Sequence, residues 1–337
     1  MIKKIALFVL PLASMLYAGG EVNIYSHRHY EADKQLFKMF EEKTGVKVNV
    51  VNAKANELIK RLEKEGENSP ADLLITADVG RLYLAEQKGL LQSVDSKFLN
   101  ETIPAKLKDK DNMWFGLTKR ARVIVYNKDK VKPSELSTYE DLTSSKWNKK
   151  VLVRQSSNIY NQSLLASFIA SQGEDKAKKW AEGIVNNMAR SPAGSDRDQM
   201  KAVAAGIGDV AIVNTYYLGM LLNSKKKNEV MVGAKMGIFF PNQGANERGT
   251  HINISGIALT KSSKNRDNAI KLIEFLASTQ AQKIFAEANF EYPVNPNVKP
   301  SALLQSWGEF KEDQTELYKL GKYNAEAVKI FNEIKWK

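Results

Sequence analysis

Residues 21–50 read EVNIYSHRHYEADKQLFKMFEEKTGVKVNV, and this stretch decides the fold class. Val22 and Ile24 alternate with polar neighbours, the period of a half-buried strand. Leu36, Met39 and Phe40 then recur at helical spacing, and Gly45 supplies a stop. Val46, Val48 and Val50 alternate again. The order of elements continues downstream. Leu58, Ile59 and Leu62 mark a helix ending near Gly66. Ser69-Pro70-Ala71-Asp72 leads into a buried strand at Leu73-Leu74-Ile75, and Leu82, Ala85 and Leu90 lie on a helix closed by Gly89. The run β-α-β-α-β-α predicts an α/β fold with a mostly parallel sheet covered by helices on both faces.

Further along, Arg122 to Tyr126 is a β-rich run, and a second unit starts after Pro133. Val151-Leu152-Val153 and Val210-Ala211-Ile212-Val213 read as strands, with helix faces between them at Leu164 to Ile169, Trp180 to Val185 and Met200 to Ala204. Ile238-Phe239-Phe240 and Ile254 to Leu259 are further strands, and Leu272 to Leu276 and Ile284-Phe285 are helical. The Lys225-Lys226-Lys227 run reads as a loop. Two α/β units with short connections predict two lobes and a cleft. A chain of 337 residues is long enough for two domains.

Composition narrows the chemistry. With no Cys and three His, the chain has no thiol nucleophile, no disulfide and no thiolate metal site. Lys3-Lys4 followed by the apolar run Ile5 to Leu16 has the pattern of an export signal, residues 1–20, cut after Ala18 or Gly20. Export places the protein outside the cytoplasm, and removing Lys3 and Lys4 lowers a net charge of +12 to +10. The remaining Lys and Arg are scattered among acidic neighbours, the pattern of solvated faces and not of a nucleic-acid footprint. Gly206-Ile207-Gly208-Asp209-Val210-Ala211 precedes a strand, so it is not a dinucleotide loop. No hydrolase or nucleotide motif is present, and no enzyme is expected.

Ligands of open α/β sheets bind beyond the carboxyl ends of strands. Ser26-His27-Arg28-His29-Tyr30 follows the first strand, Arg154 to Tyr160 follows the strand at Val151, and Asn214-Thr215-Tyr216-Tyr217 follows the strand at Val210. Four tyrosines and a histidine at three strand ends ask for a hard, highly charged cation, because an ordinary phenol ionises only near pH 10. Ferric iron is the biological cation of that kind. The candidate ligands are His29, Tyr30, Tyr160, Tyr216 and Tyr217. Four phenolates against Fe³⁺ leave one negative charge, which Arg28, Arg120 or Arg122 can offset. A synergistic anion is compatible with this charge balance but not required.

The segments Tyr25 to Tyr30, Thr118 to Asn127, Ser157 to Ser163, Asn214 to Tyr217 and Asn253-Ile254-Ser255-Gly256 resemble the periplasmic ferric-ion-binding proteins of bacterial iron ABC transporters, in the branch that holds iron with several tyrosines. The resemblance implies a two-lobed type II periplasmic-binding-protein fold, each lobe a mixed sheet flanked by helices and joined by two hinge strands. The first crossing is expected at Arg122 to Tyr126, the second near Ile238 to Pro241. The lobes are expected at 21–123 plus 241–281 and 124–240 plus 282–337. The resemblance also implies the five ligands just named, a periplasmic location, an inner-membrane ABC permease as partner and a monomer. Another branch uses a Glu ligand and a bound anion, for which Glu57 is the candidate, although its helix-start position suits a solvated Glu. Of the two histidines His27 and His29, His29 is favoured by its adjacency to Tyr30. A receptor for phosphate-like anions, using Arg28, Arg120, Arg122 and Arg154, is the alternative reading.

Overall fold

The computed structural model describes residues 19–337; the first 18 residues of the expected export segment lie outside the described residues. Ten strands form the framework: β1 Glu21–Ser26, β2 Lys47–Asn52, β3 Leu73–Ala77, β4 Leu91–Gln92, β5 Phe115–Asn127, β6 Val151–Leu152, β7 Val210–Asn214, β8 Met236–Phe239, β9 Ile252–Thr260 and β10 Tyr292–Pro293. They run in the order β2-β1-β3-β9-β5-β7-β6, with β4 on β9 and both β8 and β10 on β5.

Only part of this sheet is parallel. β1 pairs in parallel with β2 and β3, and β6 with β7. β9 lies antiparallel to β3 and β5, and β5 antiparallel to β7 and β8. The expectation of a mostly parallel sheet thus holds for the βαβ units at either end, where a crossover helix forces parallel pairing. It fails at the centre, where the chain returns from the other lobe. The helix between β1 and β2, Glu31–Thr44, ends where the motif requires, with Gly45 at φ 71° accepting the left-handed conformation that closes a helix.

β5 joins the lobes. Its first half, Phe115 to Ala121, pairs with β9, and its second half, Arg122 to Asn127, pairs with β7 and β8. The chain returns through residues 240–251, an irregular connection from β8 to β9. The crossings touch: the Arg122 amide donates to the His251 carbonyl at 2.9 Å, and the His251 amide donates to the Tyr139 hydroxyl at 3.2 Å. Tyr139 in turn donates to the Arg122 carbonyl. The second crossing is therefore a tethered loop beyond the expected Ile238 to Pro241 run.

The chain returns to the first sheet before it ends. The helix Thr279–Asn289 packs on the helix Glu31–Thr44, and β10 pairs with Thr118 and Lys119 of β5. Residues on both sides of the expected boundary at 281 thus lie against the same sheet. The last helix, Asn324–Glu333, packs instead on the helix Ile159–Gln172. Between them the short helix Tyr318–Lys322 contacts both Val79–Gln87 and Ile159–Gln172. The Gly321 backbone lies so close to Tyr83 that an added Cβ would fall 2.5 Å from its Cβ, so only glycine fits. Among the described residues no helix is long and apolar enough to cross a membrane.

Candidate metal centre

A cavity of about 310 Å³ opens where the strand ends meet, lined by His27 to Tyr30, Ala77, Arg81, Arg154, Asn158 to Tyr160 and Tyr217. The loop after β1 is fixed by backbone chemistry. Ser26 Oγ donates to the Arg28 carbonyl and accepts from the Arg28 amide, and Asn52 Nδ2 donates to the carbonyls of Ser26 and Arg28. Tyr30 then begins the helix Glu31–Thr44, its amide donating to Asp33 at 3.4 Å. His29 is exposed and stacks on Tyr30 with centroids 5.7 Å apart.

The other tyrosines begin helices. Asn158 caps the helix Ile159–Gln172 by accepting from the Tyr160 amide at 3.1 Å, which sets Tyr160 in the first turn facing the cavity. Tyr216 and Tyr217 open the helix Thr215–Leu222 directly after β7. Tyr216 is buried, and its hydroxyl donates to that of Tyr160 at 3.3 Å. Its ring lies 4.2 Å from the ring of Tyr217. Burial pushes the phenols of Tyr30, Tyr216 and Tyr217 above the ordinary value, and the neighbouring tyrosines add to it, with Glu291 acting on Tyr30 and Asp196 on Tyr217.

Arginines surround these rings. Arg120, Arg154 and Arg122 stand 5.2, 5.7 and 5.9 Å from the Tyr160 centroid. Each also faces a carboxylate. Arg120 lies 3.6 Å from Asp78, while Arg122 and Arg154 lie 3.4 and 3.6 Å from Asp196. Arg28 is spent on Asp33 and Glu291 at 3.1 and 3.0 Å. Arg81 donates to the Ala77 carbonyl, and its Nε has no partner. Five arginines thus meet four carboxylates, and one positive charge is left over. That surplus equals the single negative charge of a trivalent cation held by four phenolates.

Of the residues expected from the sequence, Tyr30, Tyr160 and Tyr217 line the cavity directly, Tyr216 adjoins it through Tyr160, and His29 sits at its mouth beside His27. Burial among arginines lowers the His27 imidazole to about 4, desolvation being the larger cause. Glu57 is not brought in. It is exposed in the first turn of the helix Ala55–Glu65, 3.6 Å from Lys54. Among the described residues no group of three His, Asp or Glu is arranged to hold a metal. Arg81 and Asp78 escaped the sequence reading. Both follow β3, and the strand-end rule extended from three strands to that one would have reached them.

Two lobes of mixed sheet, bridged by β5 and a return loop, with side chains of both lobes meeting at one cavity, define a type II solute receptor. The chain belongs to the bacterial extracellular solute-binding proteins, whose family pattern matches residues 68–307. It is 49% identical over 327 residues to iron uptake protein A1 of Synechocystis, covering 97% of this chain and 90% of that one. Two solved structures align with 94% of this chain and 100% of theirs. One is a Trichodesmium protein in complex with iron and citrate, at 51% identity and a TM-score of 0.91. The other is a ferric binding protein from Campylobacter jejuni, at 50% identity and a TM-score of 0.89.

Proposed function

We propose that this protein is a periplasmic ferric-ion receptor that captures Fe³⁺ between its lobes and delivers it, as a monomer, to an inner-membrane ABC permease. The ligands are His29, Tyr30, Tyr160, Tyr216 and Tyr217. The observation that carries this reading is the convergence of phenols from three separate elements, with Tyr216 and Tyr160 in hydroxyl contact. A hard trivalent cation is the ligand that compensates for gathering so many phenols in a partly buried site, because its charge favours their ionised form. The names of the relatives point the same way. The lobes divide at Arg122 and His251, with the chain as far as Asn295 grouped with the first sheet. Closure brings His29 and Tyr30 of one lobe onto the tyrosines of the other.

The anion-receptor alternative is weaker. Arg28, Arg120, Arg122 and Arg154 each already face a carboxylate, so little free positive charge remains for a phosphate. The same balance makes a synergistic anion unnecessary for four phenolates.

Visible absorption tests the reading. Adding ferric iron is expected to produce a phenolate-to-iron charge-transfer band that a chelator removes. Tyr216→Phe should weaken that band and cut affinity by more than the roughly 10–100-fold that losing an outer-shell partner costs. A protein that stays colourless with ferric iron is not this receptor.

A further inference from the structure

Asp78 occupies an uncommon position. It follows β3 with φ at 103°, a conformation that L residues rarely adopt. Its carboxylate is fully buried and heavily used. One oxygen accepts from the Gly80 amide at 3.0 Å, capping the helix Val79–Gln87, and the other accepts from Asn253 Nδ2 at 2.9 Å. Both oxygens lie 2.9 Å from the hydroxyl of Ser163. Arg120 Nη2, which has no hydrogen-bond partner, lies 3.6 Å away.

These contacts converge on one tyrosine. Ser163 lies three residues after Tyr160 on the same helix, so the two share a face. Arg120 stacks on the Tyr160 ring. Asp78 and Asn253 belong to the first sheet, while the helix carrying Tyr160 and Ser163 belongs to the second lobe. A strained backbone that places a buried carboxylate against another lobe signals a local geometry over-determined by its surroundings.

We propose that Asp78 is a positioning residue for metal binding: through Ser163 on one side and Arg120 on the other, it holds Tyr160 in its ligand position in the closed arrangement, where both lobes line the cavity. This rests on Tyr160 being a ligand, as proposed above. The carboxylate sets the helix by its bond to Ser163, and it keeps the Arg120 guanidinium against the ring. Once the lobes have closed, Tyr160 therefore stays on the metal without further ordering.

Ser163→Ala and Asp78→Asn test this in the whole protein, loaded from ferric nitrilotriacetate. Alanine is a good helix former at 163, and asparagine both caps helices and tolerates positive φ, so both variants should fold. Each is expected to shift the charge-transfer band and to speed iron release to a chelator about tenfold, the effect of losing one hydrogen bond to a charged group. Ser163→Ala placed on Tyr160→Phe should add nothing further. Two outcomes overturn the proposal: both variants keep the wild-type band and release rate, or the Ser163→Ala effect persists undiminished without the Tyr160 hydroxyl. A wild-type protein with no iron band overturns the receptor reading itself, and this assignment with it, and is distinguishable because it appears before any variant is made.

Discussion

Tyr30, Tyr216 and Tyr217 are held above the ordinary phenol value by burial and by the crowding of neighbouring tyrosines, so without metal they carry their protons at neutral pH. A cation that takes them as phenolates must displace those protons. Affinity therefore falls as pH falls, and it keeps rising above neutrality because the phenols have not yet ionised there. With these three phenols as ligands, the logarithm of the affinity should climb by up to ~3 per pH unit. Competition against a chelator of known protonation, between about pH 5.5 and 8, measures the slope. A slope near or below ~1 would mean that no more than one tyrosine binds. These tyrosines were legible because strand-end placement is a local property of sequence. The carboxylates that neutralise the arginines were not. Asp78, Asp196 and Glu291 are distant in the chain from the arginines they face, and only the folded arrangement shows which arginine each one occupies.

Arg28 shows how elements are locked together around the site. Its guanidinium donates to Asp33 in the first turn of the helix Glu31–Thr44, to Glu291 just beyond the helix Thr279–Asn289, and to Thr118 on β5. It also stands 5.0 Å over Tyr30 and 5.2 Å over Phe285. Removing it leaves two buried carboxylates facing each other with no cation between them. Arg28→Ala is expected to cost on the order of 3–5 kcal/mol in denaturant unfolding, the usual consequence of breaking a buried pair from one side. A loss below ~1 kcal/mol would show that water replaces the guanidinium and that the three elements are held by apolar packing alone. Many of the elements were readable, and two of the failures are informative. Residues 215–222, TYYLGMLL, are apolar all round with no polar face, so periodicity gave no helix signal although the segment is one. Strand direction failed for another reason. Nothing local to Ile254 to Leu259 says that the chain arrives there from the far lobe, and that arrival makes β9 antiparallel.

For the whole molecule, the question is whether two lobes mean two independent folding units. The sequence reading starts a second unit after Pro133, whereas Arg122–Asn127 already pair with the second sheet, and the sequence does not show that the core runs through both lobes. Val125, Leu152, Ala211 and Val213 of the second sheet belong to the same buried cluster as Val22, Leu36, Leu74 and Ile257 of the first. The opposite face of those second-lobe strands, with Ile124, Val151 and Ile212, packs on a separate cluster with Phe168, Trp180 and Phe331. The interlobe boundary is therefore not a gap between cores, because β5 carries buried side chains on both sides of it. The metal-free protein should unfold in a single calorimetric transition whose van't Hoff and calorimetric enthalpies agree, which is uncommon for a chain of two lobes. Ferric iron should move that transition upward as a unit, by about 2.7 kcal/mol of added stability at a free concentration 100 times the dissociation constant. Two resolved transitions, with iron shifting only one of them, would place the binding lobe and its partner on separate cores and break the continuity inferred from β5.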